Sequence, residues 1–281
     1  MKRLIVNADD FGLHPAVNRA IIKGYEEGSI RSTSLIASGR AAEEAAALAR
    51  SRPGLGVGVH LTLVAERPVL PPAKIPSLIG SEGMLLPDHV AFIKRYISGG
   101  ISMTELRAEC EAQIERTRAL GVEPTHLDSH QHLHVLPGVA ALVATIAVEH
   151  GFKKVRFPGE AFRFTGSCGA SFGRYIAKCG LTACARFARP IFRRAGLSSP
   201  DAFFGMLTGG RLLTRNLMTI LRSLPEGVSE IMIHPGDDNA ALGALYAWGY
   251  HWEEELASAT SEEAMQYIGE RSIRLISYKE L

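Results

Sequence analysis

Short apolar runs rich in β-branched residues alternate with segments of helical periodicity along nearly the whole chain. That alternation restricts the fold to a parallel α/β sheet with helical crossovers. Strands are predicted over residues 4–6, 33–37, 55–63, 125–134, 154–157, 228–233 and 273–276. Helices are predicted over 15–27, 41–50, 90–98, 103–120, 138–150, 211–223 and 262–268, with Pro15 opening the first and Gly28 stopping it. Residues 68–87, rich in Pro and Gly, read as a long loop, and the chain has no internal repeat. In such folds the chemistry gathers at the carboxyl ends of strands. The polar clusters fall there: Asp9-Asp10 after the first strand, His60 late in the third, and His234 directly after Ile231-Met232-Ile233. Several strand ends opening into one mouth predict a distorted or incomplete (β/α) barrel, TIM-barrel-like, forming a single domain over residues 1–281.

Composition removes other classes. With 46% hydrophobic and 21% charged residues, the 281-residue chain is globular and can bury a sizeable core. A net charge of +2 gives no global basic field, and no nucleic-acid-binding motif accompanies the charge. No apolar run approaches the ~20 residues of a membrane span, and the N-terminal residues lack the apolar core of a signal peptide. The cysteines, Cys110, Cys168, Cys179 and Cys184, form no CxxC pair, so free thiols and a cytoplasmic location are expected.

The strongest local signal is Thr125-His126-Leu127-Asp128-Ser129-His130-Gln131-His132-Leu133-His134. On a strand, its alternation puts four imidazoles and the Asp128 carboxylate on one face, a pattern suited to a metal, since imidazole is the commonest protein ligand. Successive members stand ~6.6 Å apart, so the ends of a fully extended run would be ~26 Å apart. Only one or two can ligate, and the rest need other work. Asp9-Asp10 read alone fits a turn as well as a site. Placed at the end of a buried strand, two repelling carboxylates call for a cation, and a bend near Gly12 is needed to bring both inward. By itself His60, in Gly56-Val57-Gly58-Val59-His60-Leu61, reads as a hydrogen-bonded core histidine. His234 precedes a Pro-Gly turn, a placement suited to a general acid.

Taken together, Asn7-Ala8-Asp9-Asp10-Phe11-Gly12, Gly58-Val59-His60-Leu61, residues 124–134 and His234-Pro235-Gly236 resemble the YdjC-like carbohydrate deacetylases, in order and spacing, along nearly the whole chain. The resemblance implies one divalent metal and removal of acetyl from N-acetylglucosamine units. By position it implies Asp10, His60 and His130 as metal ligands, Asp9 as general base and His234 near the substrate. Asp128, His132 and Arg156 are expected to contact substrate or support the ligands, a surface salt bridge being the alternative for Arg156. Ligand type favours Zn²⁺, while the family leaves Mg²⁺ open. Overall likeness is greatest to the hopanoid-biosynthesis-associated branch, which implies an N-acetylglucosaminyl hopanoid lipid as substrate, with soluble chitooligosaccharides as the alternative. A metal-dependent phosphoesterase and a non-catalytic sugar- or lipid-binding protein are the readings from other classes.

Residues 161–200 hold no acidic residue but seven basic ones, interleaved with apolar residues, and read as a basic apolar insertion broken at Pro190. Such a segment can lie on a membrane surface, with Arg186, Phe187, Phe192, Arg193 and Arg194 as docking candidates, or be a solvated basic helix. The oligomeric state stays open, a dimer included.

Overall fold

A computed structural model describes residues 1–165 and 171–281. Residues 166–170 of the 161–200 segment, Cys168 among them, lie outside the described residues. The strands are β1 (Lys2–Phe11), β2 (Ser32–Leu35), β3 (Gly56–Leu61), β4 (Leu127–Ser129), β5 (Ala202–Phe204), β6 (Gly227–Ile233) and β7 (Arg274–Leu275). The helices are α1 (Pro15–Glu27), α2 (Ala42–Arg50), α3 (His89–Ile97), α4 (Met103–Ala119), α5 (Val139–Glu149), α6 (Phe172–Arg194), α7 (Thr214–Ser223), α8 (Asn239–Leu245), α9 (Trp252–Ala259) and α10 (Glu262–Glu270).

The strand order is β4-β3-β2-β1-β6-β5, every described pairing is parallel, and β7 adds to β1 at Arg3 and Leu4. The two edges of the sheet approach each other through residues 153–156. Val155 bridges Leu127 of β4, and Lys154 bridges Ser198 on the approach to β5. The result is the expected distorted, incomplete (β/α) barrel, with residues 154–157 reduced to single bridges.

Strand alternation explains the layering. Leu4, Val6 and Ala8 face outward into the cluster that α1, α2, α7 and α10 cover. Ile5 faces inward, where it packs with Val228, Ile276 and Tyr278 and fills the amino-terminal end of the barrel. Above that plug the interior turns polar: Asn7, Ser34, His60, His126, Asp128, Arg156 and Glu230 are all buried.

Several elements differ from expectation for physical reasons. β1 runs on through Asn7–Phe11, a polar stretch expected as loop, because its polar side chains meet partners inside the barrel. The expected strand over 125–134 lasts only for β4. Residues His130–Val135 then coil into a 3₁₀ turn, with Gln131 and His132 left-handed (φ 54° and 57°), so the histidines leave their common face. Pro190 does not break α6, since only one turn follows it and buried Ala188 and Phe192 hold that turn on the core. β5, α8 and α9 were not expected; the strand is three residues long, too short to show periodicity.

Gly58 faces the polar interior, where a Cβ would stand 2.4 Å from the His126 ring. That ring is itself stacked 3.7 Å from Tyr278 and cannot retreat. Gly58→Ala is therefore expected to cost about 1–3 kcal/mol, read as a lowered urea midpoint. A variant as stable as the wild type would contradict this packing.

Candidate metal and catalytic centre

The centre begins with a kink. The β1–β2 register shifts between Ala8 and Phe11, and Asp10 adopts φ 67°. On a straight strand Asp9 and Asp10 would point to opposite faces. The left-handed residue turns both carboxylates into one space at a cost of roughly 1–2 kcal/mol, least severe for Asp and Asn. The bend thus lies on Asp10 itself. Gly12 (φ 88°) follows it and donates its N–H to Asn18 Oδ1 at 2.8 Å.

His60 projects from β3 toward the same space. Its Nδ1 lies 2.8 Å from Asp128 Oδ1, and because a carboxylate only accepts, Nδ1 carries the proton. Nε2 is then the atom that would offer a lone pair to an ion in place of its second proton, 3.4 Å from Asp10 Oδ1. The Nδ1 of His130 lies 3.1 Å from the same Asp10 oxygen. Asp10 Oδ2 is buried without a hydrogen-bond partner among the described residues. Burial opposes charge on His60, yet Asp128, Asp9 and Asp10 outweigh it and push the imidazole up to about 10. A centre this rich in negative charge, with an orphaned carboxylate oxygen, fits a cation.

Among the described residues two donor sets lie with their atoms within 4.8 Å of one another: Asp10-His60-His130 and Asp9-His60-Asp128. Arg156 decides between them. Its guanidinium, fully buried, binds Asp9 bidentately, Nη1 to Oδ2 at 2.7 Å and Nη2 to Oδ1 at 2.6 Å. Nη1 also lies 2.9 Å from Asp128 Oδ2, which accepts from Ser34 Oγ at 2.6 Å. Nε donates to Glu230 Oε1 at 2.8 Å, and Tyr278 donates its O–H to Glu230 Oε2 at 2.6 Å. The second set is thus already occupied by internal hydrogen bonds, whereas the first keeps the unpartnered Asp10 Oδ2. Burial works against charge on Asp128, but Arg156 and His60 hold it well below the usual carboxylate range. Burial lifts Glu230 to about 7, with Arg156 opposing. Arg156 is therefore an internal hub, not a surface salt bridge. Glu230 escaped the sequence reading, although a Glu inside the apolar run 228–233 signals a buried partner.

The remaining histidines separate. His126 lies beneath the site, kept neutral by burial, which pushes it down to about 3. His134 Nδ1 meets Ser129 Oγ at 2.7 Å and Nε2 lies 3.2 Å from the Arg156 carbonyl, so it braces the segment carrying the hub. His132 stands edge-on to Phe203 at 5.8 Å, its Nδ1 without a hydrogen-bond partner among the described residues. Of the histidine-rich segment only His130 joins the open donor set.

His234 follows β6, whose pairing of Ile233 with Ala8 brings it to the same end as Asp9. Its backbone N–H donates to Glu255 Oε2 at 2.5 Å, and its Nδ1 stands 3.8 Å from that oxygen. A row of aromatic rings missed in the sequence reaches this mouth: Tyr250 is 4.9 Å from His234 and Trp248 5.4 Å from His130. Its signal was the alternation Tyr246, Trp248, Tyr250, Trp252.

Arg156→Met is expected to destabilise the fold by about 3–5 kcal/mol, because it strands buried carboxylates from three strands. Denaturant unfolding measures this, and a loss below about 1 kcal/mol would remove Arg156 from its central position.

Comparison with known proteins agrees with this architecture. Residues 3–270 match the family model described as YdjC-like protein. The chain is 39% identical to a carbohydrate deacetylase of Mus musculus, covering 83% of this chain and 78% of that protein. It is 31% identical to a carbohydrate deacetylase of Geobacillus stearothermophilus, covering 98% and 96%. It is 33% identical to a chitooligosaccharide deacetylase of Enterobacter sp. (strain 638), covering 100% and 99%. A crystal structure of a candidate cellobiose-phosphate cleavage protein from Enterococcus faecalis superposes with a TM-score of 0.80 at 26% identity, covering 99% of this chain and 98% of that one. With that match over nearly its full length, the chain belongs to the YdjC-like protein family.

Proposed function

We propose that this chain is a metal-dependent hydrolase that removes the acetyl group from an N-acetylglucosamine unit. The carrying observation is the division of labour among the carboxylates: Arg156 claims Asp9 and Asp128, and Asp10 keeps an unpartnered oxygen beside His60 and His130. The names of the relatives support the reaction class.

Asp10, His60 and His130 would hold one divalent ion, and two imidazoles favour Zn²⁺ over Mg²⁺. When bound, such an ion supplies Lewis-acid polarisation of the acetyl carbonyl and makes water a competent nucleophile near neutral pH. Three protein ligands leave room for substrate, unlike a closed structural zinc site, which disfavours a purely binding protein. A two-metal phosphoesterase needs the second donor set, and its atoms are already engaged.

Asp9 accepts the proton of the attacking water. Arg156 fixes the plane of its carboxylate; Oδ1 accepts from Asn7 as well, whereas Oδ2 accepts from Arg156 alone and keeps a lone pair for that proton. His234 donates a proton to the departing nitrogen. Glu255 lies on its Nδ1 side, which leaves Nε2 for the substrate. Asp128 orients His60 through Nδ1, and Arg156 acts through Asp9 rather than on the substrate.

A lipid-linked substrate, such as an N-acetylglucosaminyl hopanoid, is the finer reading, with soluble chitooligosaccharides as the alternative. One feature favours the lipid. Phe172, Ile176 and Phe187 are 80%, 53% and 57% exposed, and helical spacing puts them on one stripe of α6 with Arg194. Exposed Arg186 and Arg193 flank the stripe, whereas Phe192 is buried and drops out of the docking set. No described helix is long and apolar enough to cross a membrane, so contact would be peripheral.

Asp9→Asn is expected to keep one equivalent of metal and lose about 10²–10⁴-fold in kcat for acetate release. Turnover near the wild-type value would remove Asp9 as the base. Asp128→Asn should weaken metal affinity about 10–100-fold, measured by competition with a chelator; unchanged affinity would contradict its orienting role. Vesicles containing anionic lipid should carry the protein in flotation, and Phe172→Ser with Phe187→Ser should abolish this. Absence of wild-type flotation would retire the membrane contact.

A further inference from the structure

Residues 246–252 place aromatic side chains at alternate positions in a continuous row. Ring centroids are 4.8 Å apart for Tyr246–Trp248, 5.5 Å for Trp248–Tyr250 and 5.7 Å for Tyr250–Trp252. The inner end is anchored, since Trp252 is buried in the core. Tyr250 packs against Gly210, where a Cβ would stand 2.2 Å from its ring, and the His251 N–H donates to the Gly210 carbonyl at 2.7 Å. The outer rings, Tyr246 and Trp248, are only partly buried. The row passes both sides of the proposed chemistry, with Tyr250 against His234 and Trp248 against His130. The Trp248 indole packs on the edge of the main core and leaves the rest of its surface open beside a candidate metal ligand.

We infer that Trp248, supported by Tyr246 and Tyr250, is the wall on which the acetylated sugar ring stacks. The inference rests on the deacetylase reading and names what positions its substrate. A gluco-configured pyranose carries its hydroxyls equatorially, so its faces present C–H groups and pack on an aromatic plane. Polar groups stand near the same mouth: Glu66 interacts electrostatically with His130, Asp10 and Arg40, and Tyr246 with Glu66 and Arg40. An apolar wall with a few convergent polar groups is the usual build of a small-ligand site. Trp248 is thus a substrate-positioning residue that holds the pyranose by one face.

The test has two independent readouts. Trp248→Ala should raise KM for acetate release from di-N-acetylchitobiose roughly tenfold, with kcat falling less than KM rises, and Trp248→Phe should recover most of the loss. The chain has two tryptophans, so titration with the same disaccharide should perturb indole emission in the wild type and in Trp252→Phe, and leave it unchanged in Trp248→Phe. An active wild type whose KM is insensitive to Trp248→Ala, or a fluorescence response that survives Trp248→Phe, overturns the wall. A wild type that binds the disaccharide through Trp248 and releases no acetate overturns the deacetylase reading instead.

Discussion

The centre depends on one buried guanidinium. Arg156, fully buried inside the incomplete barrel, holds carboxylates from β1, β4 and β6 together: Asp9, Asp128 and Glu230. Each would be costly to bury alone, and a planar fork of five donors can satisfy all three at fixed angles. The consequence is selective. The carboxylates that Arg156 engages are rigid and already paired, and Asp10, which it does not reach, is the one left with an unpartnered oxygen. One positive side chain therefore divides four neighbouring acids into three that it holds and one that it leaves open.

That arrangement explains why the barrel tolerates a polar interior. Ser34 serves Asn7 and Asp128, Tyr278 serves Glu230, and His134 holds the carbonyl of Arg156 itself. Such a network rigidifies a site when nearly every member is satisfied, and the exceptions are informative. Two of them, Asp10 Oδ2 and His234 Nδ1, lie at the carboxyl ends of β1 and β6, where substrate would arrive. Backbone strain is placed there too, on Asp10, so the kink that aims two acids inward and the unpartnered oxygen belong to the same residue.

Much of this was legible in residues alone, for identifiable reasons. Buried parallel strands such as β6 read as continuous apolar runs, and α1 announces itself with Pro15. The polar half of β1 did not read as strand, because alternation is recognised by an apolar inward face and here that face is Asn7 and Asp9. The histidine-rich segment read as one long strand because its alternation continues past Ser129, although Gln131 and His132 turn left-handed. His60 in isolation resembled a core histidine. Its role needed Asp128 opposite it in β4, a pairing of distant segments that only the register displays. Glu230 and the aromatic row were visible as an acid in an apolar strand and a period of two, but neither shows what it faces until the barrel forms.

The chemistry of the centre turns on which donors remain open. Anomalous diffraction from crystals equilibrated with Zn²⁺ tests that directly. It should show one peak per chain, within bonding distance of Asp10, His60 and His130, with Asp9 and Asp128 still paired to Arg156. A peak on Asp9 and Asp128, or a pair of peaks spanning both donor sets, would contradict the division of labour that Arg156 imposes.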